Sequence, residues 1–286
     1  MRLKRPGKRE EREINPCLLL LVAVLVSACA KQAPDPAQLR ADETSLIEAT
    51  ATDPASAESL LVLLQERDRL IDETRSLLHQ YRREMKTLNS DYDASRELLV
   101  EMIDYYNRER ARKQLRFIDL ITRMKQSTSA EEWDVIADFQ LANFSPRRLI
   151  YRPLAAGAPD MLDTMLSVFL LGGGLMGGMT LNPDDVKAVK QRVEVSIDDN
   201  TRLAAAAKVL DQLETEVKDF NRVFTDSGER LGDIYRNHAT ASRQLLHTLE
   251  ALNLEWYVSQ FRSIKLRNQL KEAITAEEWP MVFTTR

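Results

Sequence analysis

Leucines 63, 70 and 77 recur every seven residues, and the row beside them, Leu64, Ile71, Leu78 and Met85, keeps the same interval. Two adjacent seven-residue rows make the wide apolar stripe that a bundle helix buries, so the spacing predicts a helix over about 57–89. Arg67, Asp68, Arg69, Asp72 and Glu73 fall between the rows and read as its solvated face. Asn89-Ser90-Asp91 breaks the pattern, and a second helix is expected over about 93–126, with Leu98, Leu99, Met102, Ile103, Tyr106, Leu120, Ile121 and Met124 at helical spacing. Ser129-Ala130-Glu131-Glu132 is a capping box, in which the serine hydroxyl and the third-position glutamate exchange bonds with each other's backbone N–H. It opens a short helix through Trp133, Ile136 and Phe139. Asn182-Pro183-Asp184-Asp185 places a cap, a first-turn proline and two acids at the positive end of the dipole. That start predicts a helix to about Thr225, ended by Ser227-Gly228, with a last helix over about 232–273. No segment alternates as a strand does. The expected fold is all-α, an elongated antiparallel bundle of long helices; forty helical residues span about 60 Å.

Two stretches repeat. Residues 94–99, Ala-Ser-Arg-Glu-Leu-Leu, match 241–246, Ala-Ser-Arg-Gln-Leu-Leu, at an offset of 147. Residues 129–133, ending in Trp133, match 275–279, ending in Trp279, at an offset of 146. The first helices align at 146 as well, Leu64 with Leu210, Ile71 with Val217, Leu77 with Val223 and Leu78 with Phe224. The expectation is an internal duplication of a helical hairpin, each copy closed by a short capped helix whose tryptophan seals the bundle end.

The N-terminus changes the picture. Arg2, Lys4, Arg5, Lys8, Arg9 and Arg12 precede a twelve-residue apolar run, 17–28, and small residues lead up to Cys29. This is the layout of a secretory signal peptide, and the run is shorter than the roughly 20 residues of a membrane-spanning helix. Val26-Ser27-Ala28-Cys29 resembles the lipobox of bacterial lipoproteins. The resemblance covers the export signal alone. It implies that Cys29 is acylated and becomes the first residue of the mature chain, and that, with Ala30 and not Asp after the cysteine, the protein is sorted to the outer membrane and faces the periplasm.

Six of the 40 Lys/Arg and three of the 44 Asp/Glu lie in residues 1–28, which leaves 34 and 41 in the remainder, a net charge of −7. That balance argues against a nucleic-acid partner. The other cysteine, Cys17, lies in the signal, so the mature fold is expected to hold without disulfides. Glycine and proline are scarce, nine and ten in 286 residues, as long helices require.

Residues 164–183 carry no charge and hold five of the nine glycines. Phe169, Leu170, Leu171, Gly173, Leu175, Met176 and Gly177 are the candidate interaction or membrane tip. Three readings stand: an apolar connector folded over the bundle, a docking tip for a partner, or a hairpin entering a bilayer, a layout with a loose resemblance to the α-helical pore-forming toxins. Arg147, Arg148 and Arg152 just before it are candidates to contact lipid phosphates, or form a solvated loop. The run 108–113 reads as a basic helix face that neutralises the acidic first helices or, as the alternative, meets an acidic partner. His79, His238 and His247, the only histidines, lack the four-residue spacing of a helical metal site. No nucleophile, phosphate loop or metal cluster emerges, so no catalytic, metal or cofactor residue is assigned and no enzyme is expected. The organisation expected is a signal (1–28), a lipid-anchored flexible tether (29–56), a first helical unit (57–150), a basic and Gly-rich connector (151–183) and a second unit (184–286). The function expected is that of a structural or protein-interaction module, held on the membrane by lipid and meeting an envelope partner or itself. The alternative is a membrane-active protein using 164–183.

Overall fold

Asp53 and Asp199 show how local chemistry sets the element boundaries. Each is an extended N-cap whose carboxylate accepts the backbone N–H groups two and three residues on, and each launches a helix of 37 residues. The computed structural model describes residues 36–144 and 183–283, and these form eight helices and no strand. They are α1 (Pro36–Thr50), α2 (Pro54–Ser90), α3 (Arg96–Gln126), α4 (Ala130–Phe144), α5 (Pro183–Ser196), α6 (Asn200–Arg236), α7 (Ser242–Ala273) and α8 (Trp279–Phe283). The all-α class is as expected.

Several boundaries differ from expectation. Residues 36–50, read as part of a tether, form α1, which buries Leu39, Glu43 and Ile47. The helix begun at Pro183 stops at Ser196, because Asp199 caps a new one. Ser227 and Gly228 do not end α6. It continues to Arg236, and burial of Leu231 and Tyr235 holds the extra turns against the poor helix propensity of glycine.

α2 and α3 form one antiparallel hairpin, α6 and α7 another, and α3 lies against α7 between them. Helices α1 and α4 cover the first hairpin and α5 and α8 the second, while α4 also reaches α6 and α8 reaches α2. The core falls into three clusters. A central one joins Tyr81, Ile103 and Tyr106 to Phe220, Phe224 and Trp256. One end cluster gathers Ile47, Leu64, Ile121 and Trp133, and the other Val193, Leu210, Leu270 and Trp279.

Along α3 and α7, buried positions recur 146 residues apart. Every buried residue of α3 has a buried counterpart in α7, among them Leu99 and Leu245, Tyr106 and Leu252, Arg110 and Trp256, Gln114 and Gln260, Met124 and Leu270. The 94–99 match at 147 is therefore one residue out of register. Ser95 caps α3 by accepting the Leu98 N–H, whereas Ala241 holds the cap position of α7 without a side-chain bond and Ser242 falls inside the helix.

Candidate functional site

Cys29, the apolar residues Phe169, Leu170, Leu171, Gly173, Leu175, Met176 and Gly177, and Arg147, Arg148 and Arg152 lie outside the described residues. What the structure does bring together is a junction between the two halves, built largely from residues that read in sequence as ordinary helix faces.

Both capping boxes form. Glu132 accepts the Ser129 N–H (2.7 Å) and Ser129 Oγ accepts the Glu132 N–H (3.2 Å); Thr275 and Glu278 repeat this at 2.9 and 3.3 Å. Each glutamate also makes a second contact near the start of its half's long helix, Glu132 in the turn before α2 and Glu278 on the first turn of α6. Glu132 takes the N–H and hydroxyl of Thr52, and Glu278 takes two guanidinium N–H groups of Arg202. The Arg202 bonds, opposed by burial, hold Glu278 down at about 2.

The tryptophans behind these caps are fully buried and bond across the junction. Trp133 Nε1 donates to Tyr235 O of the second half, and Trp279 Nε1 to Asn89 O of the first, both at 2.9 Å. Tyr235 and Asn89 are themselves 146 apart, so one bond is the counterpart of the other. The last carbonyls of the long helices, orphaned by helix geometry, are met in the same crossed fashion. Lys125 Nζ donates to Ile234 O (3.3 Å) and Asn237 O (2.7 Å), and Arg267 to the equivalent Leu88 O (3.3 Å) and Asp91 O (2.6 Å). Tyr92 Oη donates to Lys271 O (3.1 Å), and His238, 146 residues on, donates from Nε2 to Lys125 O (2.6 Å). His247 is exposed on α7.

Midway along, α3 and α7 cross antiparallel on a polar ladder. Asn107 Nδ2 donates to Gln260 Oε1 (2.9 Å), and Gln114 and Asn253 exchange two amide bonds (3.1 and 2.6 Å). Between these rungs the Arg110 guanidinium lies 5.0 Å from the centre of the Trp256 ring. Arg110, expected on a basic face that neutralises the acidic helices, is 2% exposed, and its Nε and Nη1 have no hydrogen-bond partner among the described residues. Burial lowers its pKa to about 10. Lys113 of the same run pairs with Glu73 of α2, as does Arg116 beyond it.

Arg67, also read as solvated, is buried with Glu43 of α1 as a bidentate pair (2.6 and 2.8 Å). Gln140 of α4 donates to Glu43 (2.5 Å), and Tyr235 of the second half donates to Gln140. Burial disfavours the Glu43 carboxylate, yet the charge and bonds of Arg67 and the Gln140 bond win and its pKa is lowered. The counterparts of Glu43 and Arg67 are Val189 and Leu213, so the second half holds an apolar contact where the first holds an ion pair.

A crevice of about 230 Å³ opens beside Lys125, lined by Ile121, Thr122, Ile234, His238, Ser242 and Leu245 among others. Burial lowers Lys125 to about 8. Its polar groups already serve the fold: Lys125 and His238 meet carbonyls as above, while Thr122 Oγ1 donates to Ile118 O and lies 2.7 Å from Ser242 Oγ. The equivalent place in the other half is filled by Arg267, where the first half has Ile121.

Among the described residues no group of three or more His, Cys, Asp or Glu is arranged to hold a metal, and no helix is long and apolar enough to cross a membrane. Comparison of the chain with protein-family models, curated proteins and solved structures finds no match.

Proposed function

We propose that this protein is a lipid-anchored envelope module of structural or interaction type, made by duplication of a four-helix unit and acting as an elongated, stiff scaffold. The crossed hydrogen bonding carries the reading. Trp133, Trp279, Lys125, Arg267, Tyr92 and His238 each bind the backbone of the opposite half, so the groups that could do chemistry are engaged in locking two units into one body. A helix of 37 residues is about 55 Å long. The lipobox-like end supports anchoring through Cys29. Only six residues separate Cys29 from α1, which limits the reach of the tether to about 25 Å, so the body sits close to the membrane surface.

Labelling with a fatty acid and fractionating the envelope tests the anchor. Wild type should take up label and sediment with outer membrane, and Cys29→Ala should do neither. Equal labelling of the two would refute the anchor. The membrane-active alternative draws on the charge-free stretch 164–183. It would replace this reading if the form lacking residues 1–29 released dye from vesicles and Leu171→Asp abolished the release.

A further inference from the structure

We infer that Arg110 and Trp256 are the residues that make the two halves recognise each other and reject their own kind, so that the partner this surface accepts is the unlike half, on the same chain or on a second copy. The inference rests on the equivalence of the halves proposed above.

When equivalent helices cross antiparallel, off-axis contacts occur twice and the axial position meets its own counterpart. The off-axis contacts here do occur twice: Asn107 with Gln260, and Gln114 with Asn253. Both halves supply the same amides at the same spacing. Two first halves side by side would form the same ladder, and Trp133 would find a backbone carbonyl at Asn89 of the other copy as Trp279 does now. The ladder cannot tell like from unlike pairs, and the tryptophan seals differ in the Tyr235 ring, 5.2 Å from Trp133, whose counterpart is Asn89; that contact favours the unlike pair without repelling the like one.

The axis can tell them apart. Arg110 and Trp256 are 146 apart and face each other, the cation over the ring at 5.0 Å. Two first halves would bring two guanidinium groups to about that separation in a dry core. At an effective dielectric constant of about 20, their repulsion disfavours the pair on the order of a hundredfold. Two second halves would place two indoles in a slot already bounded by Phe220, 5.3 Å from Trp256, and overfill it. Only the mixed pair fits in both charge and volume. This also accounts for a buried arginine that no described carboxylate neutralises. An apolar side chain would fill the site without desolvating a charge, and selection of pairing is the best-attested role for a buried polar group at a helix crossing.

The test uses the whole chain with a protease site inserted after Gly157. Cleaved protein is unfolded, refolded and weighed by native mass spectrometry. Wild type should return unlike complexes alone. Arg110→Met, close in length but uncharged, should raise the share of first-half pairs about tenfold or more, and Arg110→Lys should behave as wild type. First-half pairs from wild type would overturn the inference, as would their absence from an Arg110→Met protein whose unlike complex forms normally. Trp256→Arg supplies a second arm that does not depend on the folding of Arg110→Met. It puts two cations on the axis of the unlike pair and should weaken that complex on the order of a hundredfold, and an undiminished complex would overturn the inference. Failure of cleaved wild type to assemble at all would instead strike down the two-unit reading beneath it.

Discussion

Replacing Trp133 by alanine should be among the most damaging single changes to the fold. The ring is fully buried in an end cluster, 5.2 Å from the Tyr235 ring and 5.4 Å from Lys125 Nζ. Truncation removes the packing of an indole and leaves a cavity, about 3–5 kcal/mol. Trp133→Phe separates the two contributions. It keeps most of the apolar contact and deletes only the donor to Tyr235 O, for about 1–3 kcal/mol. Trp279→Ala and Trp279→Phe should give matching values, since that ring is equally buried and makes the equivalent bond to Asn89 O. In a body of this size 1 kcal/mol moves the melting temperature by about 2–4 °C, so each alanine variant should melt about 10 °C below wild type. The two end clusters share no residue, so the double alanine variant should lose the sum of the singles to within about 0.5 kcal/mol. Thermal and guanidinium unfolding followed by far-UV circular dichroism measures all of these. A loss below about 1 kcal/mol for either alanine variant would refute the crossed-seal reasoning.

Three further outcomes follow from particular contacts. Glu43→Gln removes the carboxylate that pairs with Arg67 bidentately, leaving Asp68 at 3.0 Å as its remaining acidic partner, and should cost at most about 3–5 kcal/mol in denaturant unfolding, whereas Glu43→Val with Arg67→Leu, the pair of residue types the second half uses, should recover most of that loss. Glu278 is held at about 2 against an ordinary 4.5, so the stability it contributes is whole above pH 4.5 and is lost as pH falls toward 2; Glu278→Gln should flatten the stability–pH curve in that window, and an unchanged curve would contradict the Arg202 assignment. Asp53→Ala and Asp199→Ala should each cost about 1 kcal/mol by chemical denaturation, as lost caps do, and no loss at Asp199 would question the break between α5 and α6.

What the sequence made legible was local. The seven-residue rows placed α2, since Leu63, Leu64, Leu70, Ile71 and Met85 are all buried. The capping boxes placed α4 and the turn before α8, because their bonds join residues three apart. The misses were tertiary. Arg67 looked solvated because its partner Glu43 lies in a stretch whose Ala, Asp and Pro content reads as a linker. Arg110 read as one of a run of charges facing the acidic helices, whereas it is buried against Trp256 of the facing α7. The repeat at 94–99 is displaced by one residue from the offset of 146 that the other two matches share, and that offset was not followed to Asp53 and Asp199, Asn107 and Asn253, or Gln114 and Gln260, which all agree with it. That register held the signal for the missed break before Asn200 and for the polar ladder.

Native-state hydrogen exchange tests most directly whether the two halves form one interlocked body. Backbone amides at the α3–α7 crossing, 106–114 and 252–260, should be the slowest in the chain and should open with the same free energy in both halves, in a single global event. Two separate openings, with one half exchanging at a markedly lower free energy while the other stays protected, would contradict the interlock and the scaffold built on it.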